Sequence, residues 1–281
     1  MSTKFETRYA NSPEAVKAYN TTQLRDEFLI DKPMVEGEIN LVYTHYDRYI
    51  AGGAVPTKPL KLETIDPLKA DNFLDRREIG IINVGATGTV EVDGTKYELA
   101  HKDALYIGMG AKDVVFHSVD ASDPAKFYIN SAPAHQSYPT QKTSLAEANK
   151  IELGSLETAN HRTVSQMIIG GIITTCQLQM GMTELKVGSV WNTMPAHVHD
   201  RRMEVYFYLD VPQDQAVCHF MGGQPQETRH IWMHNHQAVI SPPWSIHSGS
   251  GTSNYTFIWG GMAGENLDYN DMDVAKITDL K

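Results

Sequence analysis

His197, His199, Glu204 and His247 are the residues of this 281-residue chain whose types and spacing are best suited to chemistry. Side chains two apart in an extended strand point to the same face, so His197-x-His199 delivers two imidazoles to one point. Glu204 follows five residues after His199, and His247 ends the segment Pro242-Pro243-Trp244-Ser245-Ile246-His247. Neutral imidazole and carboxylate suit a divalent first-row metal that keeps positions open for water or substrate. That donor set belongs to catalysis more than to structural support.

The chain holds twelve histidines, so rival pairs must be weighed. His234-x-His236 repeats the spacing, but no carboxylate follows closely and Asn235 signals a turn that breaks strand alternation. His230, His234 and His236 therefore read as rim or hydrogen-bonding residues and His219, in Cys218-His219-Phe220, as structural. His45, His101, His117, His135 and His161 lack partners at useful spacing.

These donors need strands to carry them. Ser12-Pro13-Glu14 supplies an N-cap, a first-turn proline and an early acid, which predicts a short helix toward Tyr19, with a second short helix after Thr22. From about Glu36 to Ile129 the pattern changes to short strands between turn residues: Ile79 to Val84, Thr89 to Val92, Thr95 to Leu99 and Ala104 to Ile107, with Asp93-Gly94 as a hairpin turn. Ser144-Leu145-Ala146-Glu147 has the capping-box pattern and predicts a connecting helix over Leu145 to Lys150. Strand texture then returns at Val164 to Ile169, Thr174 to Glu184, Glu204 to Leu209, Ala216 to Met221, Arg229 to Met233, Gln237 to Ile240 and Tyr255 to Trp259.

Asp75-Arg76-Arg77-Glu78 echoes Asp200-Arg201-Arg202-Met203-Glu204, and a strand, a turn and another strand follow each. The parallel placement predicts a duplicated, mainly β fold of two antiparallel sandwich or barrel halves, 1–150 and 151–281. No His-x-His leads into Asp75, so the first half is expected to be structural and without metal, and the second to carry the chemistry.

Composition narrows the function. A net charge of −10 argues against a general nucleic-acid binder, which needs clustered Lys and Arg for phosphates. The two cysteines, Cys176 and Cys218, form no framework. No apolar h-region opens the chain and no run reaches the roughly 18 apolar residues of a membrane span, so a cytoplasmic protein with no membrane partner is expected.

A glycine-led strand carrying His-x-His and then Glu, followed by a proline-bearing turn and a third His, resembles the two cupin motifs. The runs Val187–His197, Asp200–Tyr208, His219–His230, Gln237–Gly249 and Met262–Asn266, with Asp75–Glu78 in the first half, resemble more specifically the 5-dehydro-4-deoxy-D-glucuronate isomerases, or 4-deoxy-L-threo-5-hexosulose-uronate ketol-isomerases. The resemblance spans essentially the whole chain. It implies a bicupin with a few short helices, one Zn2+ per subunit on His197, His199, Glu204 and His247, and a hexamer. It also implies a ketol-isomerase of pectin and polyuronide breakdown, whose keto-uronate substrate becomes 3-deoxy-D-glycero-2,5-hexodiulosonate. The doublets Gly222-Gly223 and Gly260-Gly261 are a local oddity, since one glycine would suffice in each turn.

For such a substrate, Arg162, Arg201 and Arg202 are candidates to bind the carboxylate bidentately, against the plainer reading of each as a surface or interstrand salt bridge. Tyr206 shares a strand face with Glu204 and is a candidate to reach the cavity, against a plain aromatic core role. Three alternatives stay open: a 5-deoxy-glucuronate isomerase, an iron-dependent cupin oxygenase using the same ligands, and a non-catalytic uronate-binding cupin.

Overall fold

The computed structural model describes residues 3–262, 265, 267–268 and 270–281, so Ala263, Gly264 and Asn266 of the last motif run lie outside the described residues. The fold is mainly β, with four sheets and two short α-helices among the described residues. Ser12 caps the helix Pro13–Val16 by accepting from the Ala15 N–H. The helix Thr21–Phe28 is capped by Asn20, whose side chain and that of Gln23 bond reciprocally to each other's backbone N–H. Those two bonds satisfy donors that the first turn leaves open.

Each half builds a large sheet and a smaller one by the same chain path. In the first half the strands Ile39–Thr44, Ile50–Ala54, Phe127–Pro133, Arg77–Asn83 and Ala104–Ile107 lie side by side in that order. In the second the order Arg162–Ile168, Leu178–Leu185, Thr256–Met262, Glu204–Leu209, Ala238–Ser241 repeats it. The smaller sheets correspond as well: Leu60–Lys61, Val114–Ser118, Gly88–Val92, Thr95–Leu99 against Trp191–Val198, His247–Gly251, Val217–Met221, Arg229–Met233. The duplication expected from the Asp-Arg-Arg echo is therefore present in the topology.

Alternation explains where the first core sits. Val90 and Val92 of one sheet and Ile79, Ile81, Phe127 and Ile129 of the other are buried in one cluster, while Thr89 and Glu91 stay half-exposed. Each such aliphatic or aromatic side chain contributes about 1.5–3 kcal/mol on burial.

Two compact units result, and they differ from contiguous halves at 150/151. One consists of Met1–Arg8, Lys32–Ala148 and Met167–Met180, the other of Tyr9–Asp31, Asn149–Gln166 and Gly181–Lys281. The exchanged segments are held by specific bonds. Glu78 accepts from the N–H groups of Cys176, Gln177 and Leu178, while Arg25 donates to the Trp232 carbonyl and the Trp244 indole to the Asn11 carbonyl.

Two local expectations need correction. The predicted helix Leu145 to Lys150 is a turn running into the strand Asn149–Leu153. The Ser144 and Glu147 side chains do bond to each other's backbone N–H, but only one turn forms before the chain extends. The strand predicted from Thr174 begins at Leu178 instead, because the preceding N–H groups go to the Glu78 carboxylate and not to a ladder.

Candidate metal centre

The donors converge because two strands and a facing strand end meet. His197 on Trp191–Val198 stands opposite His247 on His247–Gly251. His199 lies just past the first of these strands, while Val198 between the two histidines is buried. Glu204 opens a strand of the larger sheet, opposite Gly261. A Cβ at Gly261 would come within 2.3 Å of the Met203 carbonyl oxygen and 3.3 Å of Glu204 Cγ, so the glycine gives the ligand strand its room. Gly222, in the other doublet, has φ +123°, a backbone state that favours glycine.

One atom from each of the four residues lies within 4.8 Å of all the others, so the cluster could hold a metal ion. His197 Nε2 is 2.9 Å from His247 Nε2, His199 Nε2 is 3.2 Å from Glu204 Oε1, and His247 Nε2 is 4.0 Å from Glu204 Oε2. Donors about 2.0–2.1 Å from a tetrahedral ion stand about 3.3 Å apart, inside that spread. His199 Nδ1 donates to the Asp271 carbonyl at 3.0 Å, which leaves Nε2 as the lone-pair nitrogen facing the cluster. That Nε2 is buried with no hydrogen-bond partner among the described residues. His247 Nδ1 lies 3.2 Å from the Ser241 hydroxyl, which orients the third imidazole likewise. An orphaned nitrogen among three imidazoles and a carboxylate fits a divalent cation.

Electrostatics keep three of the four donors in their ligating forms. Burial pushes His197 down to about 4 against the pull of Glu204, and burial and the neighbouring histidines hold His247 well below the ordinary imidazole value. Burial would raise Glu204, but the three surrounding histidines outweigh it and bring the carboxyl down to about 2. His199 goes the other way: burial lowers it, and the adjacent Glu204 carboxylate together with Asp271 raises it on balance.

The cluster borders a cavity of about 400 Å³ whose walls include His197, Tyr206, Arg162, Thr193, Phe257 and Trp259. The ladder between Trp191–Val198 and its partner shifts register between Asn192 and His197, and Thr193, Met194 and Pro195 in this irregular stretch line the cavity. Tyr206 projects from the Glu204 face as strand alternation requires, with its ring 5.3 Å from that of His247 and its hydroxyl 3.3 Å from Thr193 Oγ1. Tyr208 is on the same face, and its hydroxyl meets His219 Nδ1 at 2.8 Å, deep in the core.

The chain matches the KduI/IolB family over residues 28–277. The chain belongs to the KduI/IolB family. A 4-deoxy-L-threo-5-hexosulose-uronate ketol-isomerase of Formosa agariphila is 79% identical over 282 aligned residues, spanning 100% of both chains. One of the same name from Bacteroides fragilis is 57% identical over the same span. The solved structure of an IolB-like protein from Salmonella typhimurium aligns with a TM-score of 0.69 at 14% identity, covering 88% of this chain and 96% of that one. That likeness concerns the cupin-like fold.

Among the three arginines, this KduI/IolB family member brings only Arg162 to the cavity, half-buried and donating to the Asn160 carbonyl at 2.8 Å. Arg202 is buried, with its guanidinium 3.0 Å from the Asp271 carboxylate, so it fixes the residue that orients His199. Arg201 is exposed and lies 3.6 Å from Glu265. His234, Asn235 and His236 leave the strand in a turn, as the asparagine signals, with His236 at φ 62°. Sequence reasoning missed Asp271 and Ser241. Asp271 lies in the acidic stretch Asp268 to Asp273, but nothing in its spacing ties it to His199.

Proposed function

We propose that this chain is a metal-dependent ketol-isomerase that converts 5-dehydro-4-deoxy-D-glucuronate to 3-deoxy-D-glycero-2,5-hexodiulosonate in pectin and polyuronide degradation. The observation that carries the reading is full-length identity of 79% to a ketol-isomerase acting on 4-deoxy-L-threo-5-hexosulose uronate. The proposal includes one zinc per subunit on His197, His199, Glu204 and His247, supported by the donor types and the orphaned His199 Nε2. It also includes a cytoplasmic hexamer, with the second half chemical and the first structural, as the family resemblance implies.

The reaction moves one proton from a hydroxyl-bearing carbon to the neighbouring carbonyl carbon and one between their oxygens, with no net change in electrons. A cation on the four ligands supplies Lewis acidity that steadies negative charge on a substrate oxygen. The surrounding residues bind and orient the sugar. Arg162 takes the substrate carboxylate through the N–H groups not spent on Asn160. Phe257 and Trp259 exclude water along the cavity wall. The Tyr206 hydroxyl holds a proton at a substrate oxygen, beside Thr193 Oγ1. Glu204, committed to ligation, is not the base.

Incubating metal-replete protein with the 4-deoxy-5-keto-uronate and following product by NMR tests substrate and reaction together. Conversion that stops with chelator, returns with zinc and consumes no oxygen is expected. A folded, metal-replete protein that converts nothing would overturn the proposal.

A further inference from the structure

The first unit contains a separate cavity of about 290 Å³, bordered by Tyr43, Arg48, Phe73, Arg76, Arg77 and Pro133. Three arginines line it and no acidic residue does. Arg77 is only 5% exposed, and it donates to Ser131 Oγ, the Ser131 carbonyl and the Arg48 carbonyl at 2.7–3.0 Å, all of them neutral acceptors. Arg76 donates to the Leu68 and Lys69 carbonyls, again neutral. The nearby acids are engaged elsewhere: Asp66 pairs with Lys69, Asp75 accepts from Asn72, and Glu78 accepts from Tyr106 and three backbone N–H groups.

A buried charge is ordinarily paired. The duplicated fold supplies an internal control, because Arg202 holds the place of Arg77 in the second half and meets the Asp271 carboxylate at 3.0 Å. Burial pushes Arg77 down to about 10, with Arg48 acting the same way and Tyr43 against, so the guanidinium is still charged at neutral pH. In the first half the carboxylate that would answer this arginine is not supplied by the cavity walls.

We propose that this cavity is a second ligand site, which takes a small organic oxyanion, a carboxylate or a phosphate ester, on the remaining N–H groups of Arg48, Arg76 and Arg77. Tyr43 and Phe73 flank its carbon skeleton. The site is independent of the metal centre and does not rest on the ketol-isomerase reading.

Isothermal titration of the full-length, metal-replete protein with inorganic phosphate, glucose 6-phosphate, D-glucuronate and, as a neutral control, D-glucose tests this. The variant Arg48→Ala/Arg76→Ala removes two exposed side chains and leaves the buried Arg77 in place, while Arg162→Ala marks binding in the other cavity. The expected result is one anion per chain in the wild type, weakened about tenfold or more in the double variant. Arg162→Ala leaves that binding unchanged, and the phosphate and glucuronate arms assign the anion class. Three results overturn the proposal: no anion binding above the glucose control, equal binding by wild type and double variant, or an oligomer that dissociates in the double variant, which would make a second copy of this chain the source of the anion.

Discussion

Glu78 and Glu204 both stand near the start of the central strand of their half, between the late hairpin strand and its edge-side neighbour, but one register step apart: Ile79 takes the ladder place of Glu204, so Glu78 points to the opposite face of its sheet. Both carboxylates are buried. Glu78 is saturated by the Tyr106 hydroxyl and the N–H groups of Cys176, Gln177 and Leu178, at 2.7–2.8 Å. Glu204 faces three imidazoles instead. The strand that carries His197 is eight residues long in the second half, and its counterpart in the first is the two-residue Leu60–Lys61. A buried carboxylate near the start of this strand therefore serves according to the face it takes: among hydrogen-bond donors it fastens a segment, and among imidazole nitrogens it stands in a cluster that could hold a cation.

Exchanging the roles breaks the comparison most directly. His197→Ala should abolish stoichiometric metal and lower turnover by about a thousandfold or more, because charge stabilisation at the reacting oxygen is lost. Metal analysis and the NMR assay on folded protein measure this, and retained metal would sink the ligand assignment. Glu78→Gln should keep its metal and, where folded, its turnover. It should instead cost about 3 kcal/mol of stability, since an amide accepts on one oxygen only and its NH2 confronts backbone donors. Denaturant unfolding measures that loss. A Glu78→Gln protein as stable as wild type would show that the clamp is idle.

That His197 and His199 come together and that Tyr206 shares the Glu204 face was legible in the sequence because period-two alternation is local, although His199 sits just past its strand. The duplication was legible from Asp75–Glu78 against Asp200–Glu204. The clamp on Glu78 was not, because its donors are backbone N–H groups a hundred residues away in the chain, and any residue type can supply them. The same clamp misled the strand prediction at Thr174, since Thr174 and Thr175 carry β propensity whether or not their neighbours join a ladder. Asp271 was hidden for a related reason: it acts on His199 through a carbonyl and on Arg202 through a carboxylate, with no periodic relation to either.

Asp271 sharpens the comparison at smaller amplitude. Asp271→Asn keeps the carbonyl that receives the His199 Nδ1 proton but removes the negative charge beside Arg202. Metal affinity should fall by about tenfold to a hundredfold, the range usual for groups that orient a ligand, and competition with a chelating dye reads it. The equivalent Arg77 has no such acid, so Arg77→Met should leave metal affinity unchanged.

The smallest expected effect separates the halves by pH. The buried histidines of the described residues, His199, His219 and His247, with the mostly buried His197, all lie in the second unit. Burial pushes His219 down to about 3 and His197 to about 4, so in the metal-free protein both stay neutral between pH 7 and 5.5 while their unfolded forms take up protons. The unfolded state then binds more protons, and stability falls as pH falls, by about 1 kcal/mol for each residue over that window. His199 is raised, so its contribution is present below its unfolded value near 6.5 and is lost as pH rises through its folded value, which offsets part of that loss. Hydrogen exchange on metal-free protein at pH 7 and 5.5 should therefore show protection lost first in Glu204–Leu209 and Val217–Met221, with Arg77–Asn83 and Gly88–Val92 holding. Equal loss in both pairs of strands would place the acid-sensitive groups outside the histidine core.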